Sequence, residues 1–357
     1  MLVAFQNVHG PLEAHTRFMD RFSSSTGGNV TRQALCALAE HMDEAVGNIT
    51  NALIRKGLFD STLIVFSSDN GGPSNMQGGN WASNYPLRGG KGMLFEGGIR
   101  VPAFIRGAGI PKSRIGSASD IYFAGVDWTP TVVRAATGEH WTKYLPVGQE
   151  ELKEGDGMDL WLALTATRQE VEDEEKRGRS VSRNYFLLET HPPDDPNTIH
   201  GFGLIVDHWK LVNLHHTFHQ MVGDNSWLPP PGQDVESVSF SVHCGAPAPP
   251  GPIDPLECVR SWCLFDLKSD PCEYRNVITL YPDVADRLKR RLVEFSETAV
   301  PPVAGEGCEP IKIARAGGGA VPFAWAPCDL PPHSNGNGGD SFQECSDTSS
   351  ASCSGFS

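Results

Sequence analysis

Residues 62–72 read Thr62-Leu63-Ile64-Val65-Phe66-Ser67-Ser68-Asp69-Asn70-Gly71-Gly72. The run from 62 to 67 carries no polar alternation, which predicts a strand buried on both faces, as in parallel sheets. Upstream, Ala34–Lys56 places Leu35, Leu38, Met42, Ala45, Val46, Ile49 and Leu53 at steps of three and four, the single apolar stripe of a helix. Arg55 and Lys56 suit the C-terminal end of its dipole, and Gly57 can supply the cap. A turn at Asp60-Ser61 joins the two elements. Helix followed by buried strand is half of a βαβ unit, so the fold class expected here is α/β.

Before the helix, Met1–Phe5 is apolar and predicts a buried strand running into the loop Gln6–Pro11. It is too short for a signal peptide and lacks a basic flank. A chain rarely starts inside a core strand, so part of the fold is expected to precede this sequence. After the strand come a Gly- and Asn-rich loop (70–98), a strand at Val101–Ile105 and a helix entry at Asp127–Val133. Arg168–Arg179 is a charge run expected on a solvated surface. From residue 183 the pattern shifts to short strands, at 185–188, 203–206, 210–213 and 263–266, with one amphipathic helix at 283–296. That predicts a smaller α+β domain over 183–330, beside a first domain over 1–165, with a flexible tail at 331–357.

Composition excludes several classes. The net charge is −14, with 29 Lys+Arg against 43 Asp+Glu, which argues against a nucleic-acid or anionic-membrane binder. No run of apolar residues is long enough to span a bilayer. Eight of the nine cysteines lie after residue 240, a clustering that fits a few disulfides in an oxidising compartment. No Cys-x-x-Cys pair favours structural zinc. Cys36 falls within the apolar region of the helix and is expected in the core.

Three groups carry candidate chemistry. Asp69 and Asn70, just past the strand, offer hard oxygen ligands suited to Ca²⁺ or Mg²⁺ where open α/β sheets bind ligands. Locally the same residues also fit an ordinary Asp-Asn-Gly turn. Lys91, in Arg88-Gly89-Gly90-Lys91-Gly92, can approach an oxyanion as a point charge. This is not a phosphate-binding Walker loop, because Tyr85 stands where the first Gly is required and Gly92 where Ser or Thr is. His9, in a Gly-Pro loop, can protonate a leaving group near neutral pH. No Gly-x-Ser-x-Gly nucleophile elbow occurs.

In order along the chain, Asn7-Val8-His9-Gly10-Pro11, Met42–Gly47, Val65–Gly72, Leu87–Lys91 and Phe95–Pro102 resemble type I sulfatases, with arylsulfatase B and its relatives as the nearest likeness. The likeness continues at Asp156–Trp161, His208–Leu211, Trp227–Pro231, Leu264–Leu267 and Asp270-Pro271. It implies an alkaline-phosphatase-like fold with a mixed, mainly parallel sheet flanked by helices. It implies hydrolysis of sulfate monoesters, those of sulfated glycans first, with Asp69 and Asn70 as calcium ligands, Lys91 on a sulfate oxygen and His9 assisting the departing alcohol. It also implies a secretory, lysosomal or extracellular location, and with it glycans on the sequons Asn29-Val30-Thr31 and Asn48-Ile49-Thr50.

The sequence departs from the family pattern. The resembled enzymes use a formylglycine made from cysteine in Cys-x-Pro-x-Arg, and no such motif, nor its Ser form, occurs here. The upstream pair of metal-binding aspartates is likewise absent. This chain alone is therefore expected to bind calcium poorly, to lack turnover and to expose apolar strand edges. The alternative functions are a non-catalytic sulfatase-like binding protein and, less favoured by the Lys91 and Glu96-Gly97-Gly98 loop, a related phosphatase or phosphodiesterase. Oligomeric state is open.

Overall fold

The computed structural model describes residues 1–73, 81–144, 156–177, 181–189, 201–214, 227–230, 242–245, 254, 257–298, 310–314 and 320–325. Met1–Ala299 form one compact unit and Val300–Ser357 a second. The division expected between 165 and 183 lies inside the first unit. Of the second, the backbone of two antiparallel strands, Pro310–Ala314 and Ala320–Trp325, is described. The tail expected at 331–357 lies outside the described residues, as do Cys308, Cys328, Cys345 and Cys353.

The first unit opens with α1 (Thr16–Met19) and the long α2 (Val30–Arg55). Helix α2 begins four residues before the apolar stripe because the Asn29 side chain accepts the Arg32 N–H at 2.8 Å. It ends as the sequence predicts, with Gly57 at φ +66° just past the last turn. Of its stripe only Leu35 and Leu38 are buried, with Ala34 and Ala37 beside them; the stripe from Met42 on is half-exposed, and Ile54 is open to solvent. Cys36 is a free thiol of intermediate burial, less enclosed than expected. Because the Asn29 cap works through its side-chain oxygen, a glycan on the amide nitrogen would leave it intact. Asn29→Ala is expected to lower stability by about 1 kcal/mol, read from a urea midpoint.

Strand β1 (Leu63–Ser67) follows, and then α3 (Glu96–Ile99) and β2 (Ala103–Gly107). Here the expectations need correction. Strand β1 pairs antiparallel with β2, and every strand pair among the described residues is antiparallel, so the mainly parallel sheet is not found. Strand β1 is also half-exposed, not buried on both faces, and Phe104 opposite Phe66 is 50% exposed. A continuous apolar run cannot distinguish a strand enclosed on both sides from one that merely lacks polar residues. Met1–Phe5 forms no strand; Met1, Leu2 and Val3 are exposed, with no strand partner among the described residues.

Helix α4 (Trp128–Thr137) ends on Gly138 at φ +72°, and α5 (Trp161–Thr165) and α6 (Arg168–Lys176) follow. The expected charge run is helix α6, capped by a reciprocal Thr167–Glu170 pair, with Gln169, Glu170 and Glu175–Arg177 exposed. A four-stranded sheet then forms in the order β3 (Tyr185–Glu189), β4 (Gly201–Val206), β5 (Trp209–Leu214) and β6 (Cys263–Asp266). Two short-range elements complete the unit, α7 (Glu257–Arg260) and α8 (Pro282–Glu297).

The period of two along these strands sets what each face meets. Leu204, Leu211 and Leu264 stand opposite one another and pack on Ala285, Leu288 and Leu292 of α8. The other face presents Lys210, Val212, Cys263 and Phe265. Val212, Cys263 and Phe265 pack against Met93, Leu94 and Phe95, so the sheet is the platform on which the 88–99 segment rests. Two disulfides, Cys244–Cys272 and Cys258–Cys263, fasten the loops around this platform, as the cysteine clustering predicts.

Candidate functional site

Strand β1 delivers Ser68, Asp69 and Asn70 to its C-terminal end, where the chain bends at Asp69 and Asn70 and runs on through Gly71 and Gly72. The turn is closed by the 84–99 segment. Gly71 N–H donates to the Gly98 carbonyl at 2.9 Å, and Lys91 N–H donates to the Gly72 carbonyl at 3.1 Å. Asn84 clamps both sides: its Oδ1 accepts from Gly72 N–H at 2.8 Å, while its Nδ2 donates to Gly72 O at 2.8 Å and Gly89 O at 3.0 Å. Gly97 N–H donates to Arg88 O at 2.7 Å. The approach is so close that a Cβ on Gly71 would overlap Gly97 O, one on Gly97 would overlap Arg88 O, and one on Gly98 would overlap Met93 O. Gly71, Gly97 and Gly98 are therefore required by backbone contact, and Gly89 by its φ of +74° and the Met93 and Phe95 side chains above it.

The structure thus brings Asp69, Asn70 and Lys91 into one interlocked loop cluster. Asp69 is exposed, and its Oδ1 accepts the Asn70 N–H at 2.9 Å. The Asn70 amide nitrogen donates to Gly71 O at 2.8 Å. Lys91 is half-buried. Asp69 lines a broad groove of about 2140 Å³ together with Phe104, Tyr122, Phe123 and Trp128. Burial first, then the Glu96 carboxylate, raises the Tyr122 hydroxyl above its ordinary range.

His9 is placed separately. It is exposed, its Nδ1 lies 2.8 Å from Gly10 O, and its loop is tied to α2 by Asn7 Nδ2 donating to Leu38 O at 2.9 Å. Among the described residues no hydrogen bond or ion pair joins His9 to Asp69, Asn70 or Lys91.

Calcium takes about 6–8 oxygen ligands. Asp69 and Asn70 supply the right kind of oxygen, but among the described residues no group of three His, Cys, Asp or Glu side chains could hold a metal ion. The pair fits one edge of a calcium site and not a whole one, so no step through the metal follows from these residues.

Sequence reasoning missed the support beneath the loop. Arg88 is buried, with its guanidinium 4.0 Å above the Phe95 ring and 5.0 Å from that of Trp227. Beside it, Lys210 reaches Glu96 and Glu273. The signal for Lys210 was a lysine on the inward-facing register of an apolar strand. Asn84 and Glu273 gave no local signal at all.

Residues 1–138 match the Sulfatase family model. Arylsulfatase J of Mus musculus is 30% identical over 84% of this chain and 46% of its own length. Steryl-sulfatase of Rattus norvegicus is 31% identical over 49% of this chain and 28% of its own. The crystal structure of Ps i-CgsB in complex with k-i-k-neocarrahexaose shares the fold, with a TM-score of 0.55 and 21% identity over 84% of this chain and 50% of that one. The chain spans about half the length, or less, of these relatives. They do not single out arylsulfatase B. By its matched segment and these relatives, the chain belongs to the type I sulfatases.

Proposed function

We propose that this chain supplies part of the active site of a sulfuric ester hydrolase that cleaves sulfate monoesters, those of sulfated glycans first. The observation that supports the reading is the Gly71–Gly98 and Lys91–Gly72 backbone interlock, which ties the segment carrying Asp69 and Asn70 to the one carrying Lys91. In this reading Lys91 holds a sulfate oxygen by charge, from a loop whose backbone is tied to Gly72. Asp69 and Asn70 contribute two oxygens to a calcium site, which supplies positive charge to the sulfate when complete. His9 donates a proton to the departing alcohol oxygen. Its exposed place on a loop tied to α2 leaves the imidazole accessible for that role.

The nucleophile belongs to residues that the sequence does not contain. The chain alone is therefore inactive and binds calcium weakly. Sulfated glycans are favoured by the family and by the neocarrahexaose bound to Ps i-CgsB. The secretory location rests on the family and on the two disulfides. Among the described residues no helix is long and apolar enough to cross a membrane.

The test is a fluorogenic aryl sulfate assay with this chain and with a longer polypeptide that adds an upstream segment bearing a matured Cys-x-Pro-x-Arg. The longer polypeptide is expected to turn over and to lose activity in Lys91→Ala, while this chain gives no turnover. Equal rates from both would overturn the requirement for outside residues. Full activity in Lys91→Ala would remove Lys91 from the site.

A further inference from the structure

Four charged side chains meet beneath the candidate site, all out of water. Lys210 and Glu273 are 0% exposed, Arg88 2% and Glu96 6%. Lys210 Nζ lies 3.1 Å from Glu96 Oε1 and 2.8 Å from Glu273 Oε1. Glu273 Oε2 accepts the Glu96 N–H at 2.7 Å, and its carbonyl accepts from Arg88 Nη1 at 3.3 Å. Glu273 adopts φ +57°, a conformation a non-glycine residue rarely takes without surrounding constraint.

Three separate stretches contribute: Arg88 and Glu96 bracket Lys91, Lys210 projects from the platform face of β5, and Glu273 follows β6. Glu96 opens α3, and the next two residues are Gly97 and Gly98, whose backbone contacts reach Arg88 and Gly71. A shift of Glu96 is therefore passed through two glycine contacts to the turn holding Asp69 and Asn70. Close-packed backbone of this kind has no side chain that can absorb the movement.

We propose that Glu273 and Lys210 are positioning residues that pin Glu96 to the sheet and, through its glycines, set the place of Asp69, Asn70 and Lys91. The functional meaning rests on the reading of those three as metal- and sulfate-holding groups; the mechanical coupling does not.

The cluster also responds to acid. Burial lifts the Glu273 carboxyl to about 7 from an ordinary value of 4.5; Lys210 opposes the shift and Glu96 adds to it. The charged groups facing it are Lys210, Glu96 and Arg88; Asp270 nearby is occupied by the Tyr274 and Arg275 N–H groups. A carboxyl whose value is raised in the closed state stabilises that state at low pH. The contribution is lost as pH rises from 4.5 to about 7. The pinned loop is thus tightest in mild acid.

Hydrogen exchange by mass spectrometry on the full chain tests this, since it needs neither metal nor sulfate ester. In the wild type, opening of peptides covering 68–73 and 84–99, corrected for intrinsic rate, is expected to rise about tenfold from about pH 5.5 to about pH 8. Glu273→Gln keeps an acceptor for the Glu96 N–H but cannot ionise. It is expected to remove that pH dependence while 201–214 and 263–266 keep wild-type protection. A wild-type profile flat with pH, a slope unchanged in Glu273→Gln, or a loss spread evenly over β4–β6 would overturn the proposal. Should Glu273→Gln not fold, the wild-type profile decides alone. A chain that shows the coupling, but whose extended form ignores sulfate esters, would refute the functional reading only.

Discussion

Asp127→Ala is expected to destabilise the first unit by about 3–5 kcal/mol, among the largest effects of any single substitution outside the glycine loop. Asp127 is fully buried and satisfies four donors at once. Its Oδ2 accepts from Ala124 N–H at 2.7 Å and from Arg183 Nε at 2.8 Å, and its Oδ1 from Met158 N–H at 2.7 Å and from Arg183 Nη2. The carboxylate thus joins the start of α4, the 156–160 segment and the residue that leads into β3. Alanine would leave a guanidinium in the interior, its side chain only 4% exposed, with the Asp156 and Tyr185 carbonyls as its remaining acceptors. Two backbone N–H groups would also lose their acceptor, each at about 1–3 kcal/mol if water cannot reach them. Urea unfolding with an unchanged m-value measures the loss. The double variant Asp127→Ala/Arg183→Met removes the orphaned charge and is expected to be less destabilised than the sum of the single variants. A loss under about 1 kcal/mol in Asp127→Ala would show that water or rearrangement compensates the site.

This junction marks where sequence reading stops. Helix α2, strands β3–β6 and α8 were legible because each leaves a trace over its own residues: short apolar runs in the strands, and Leu288 and Leu292 recurring at four in α8. The loop chemistry at Asp69, Asn70 and Lys91 was legible as a motif, since glycines around a lysine leave a local trace. Pairing was not. Nothing within 62–67 says whether its neighbour runs parallel or antiparallel, and residues 103–107 supplied the partner in the opposite direction. The buried charges were not legible either, because Asp127 with Arg183, and Lys210 with Glu96 and Glu273, are pairs only across 56 to 177 positions. A lone charge in sequence reads as surface; its partner is supplied by the fold.

Gly71→Ala is expected to break the candidate site and to cost about 3 kcal/mol, at the upper end for overpacking because the opposing group is backbone. The added methyl would sit on the Gly97 carbonyl oxygen, with the Gly98 Cα next to it at 3.1 Å. Neither can rotate away. Relief requires separating 71–72 from 97–98, which lengthens the Gly71–Gly98 hydrogen bond and, one residue on, the Lys91–Gly72 bond. Asn70 and Lys91 then part, so the extended polypeptide should lose aryl sulfate turnover even at temperatures where it remains folded. Gly47→Ala is the control of opposite sign. Gly47 lies in the interior of α2 with nothing within 4 Å of a built Cβ. There alanine should stabilise by about 0.5–1 kcal/mol through helix propensity, with turnover unchanged. If Gly71→Ala matches the wild type in urea midpoint and turnover, the two loops are not held together as described, and the assignment of Asn70 and Lys91 to one site fails with them.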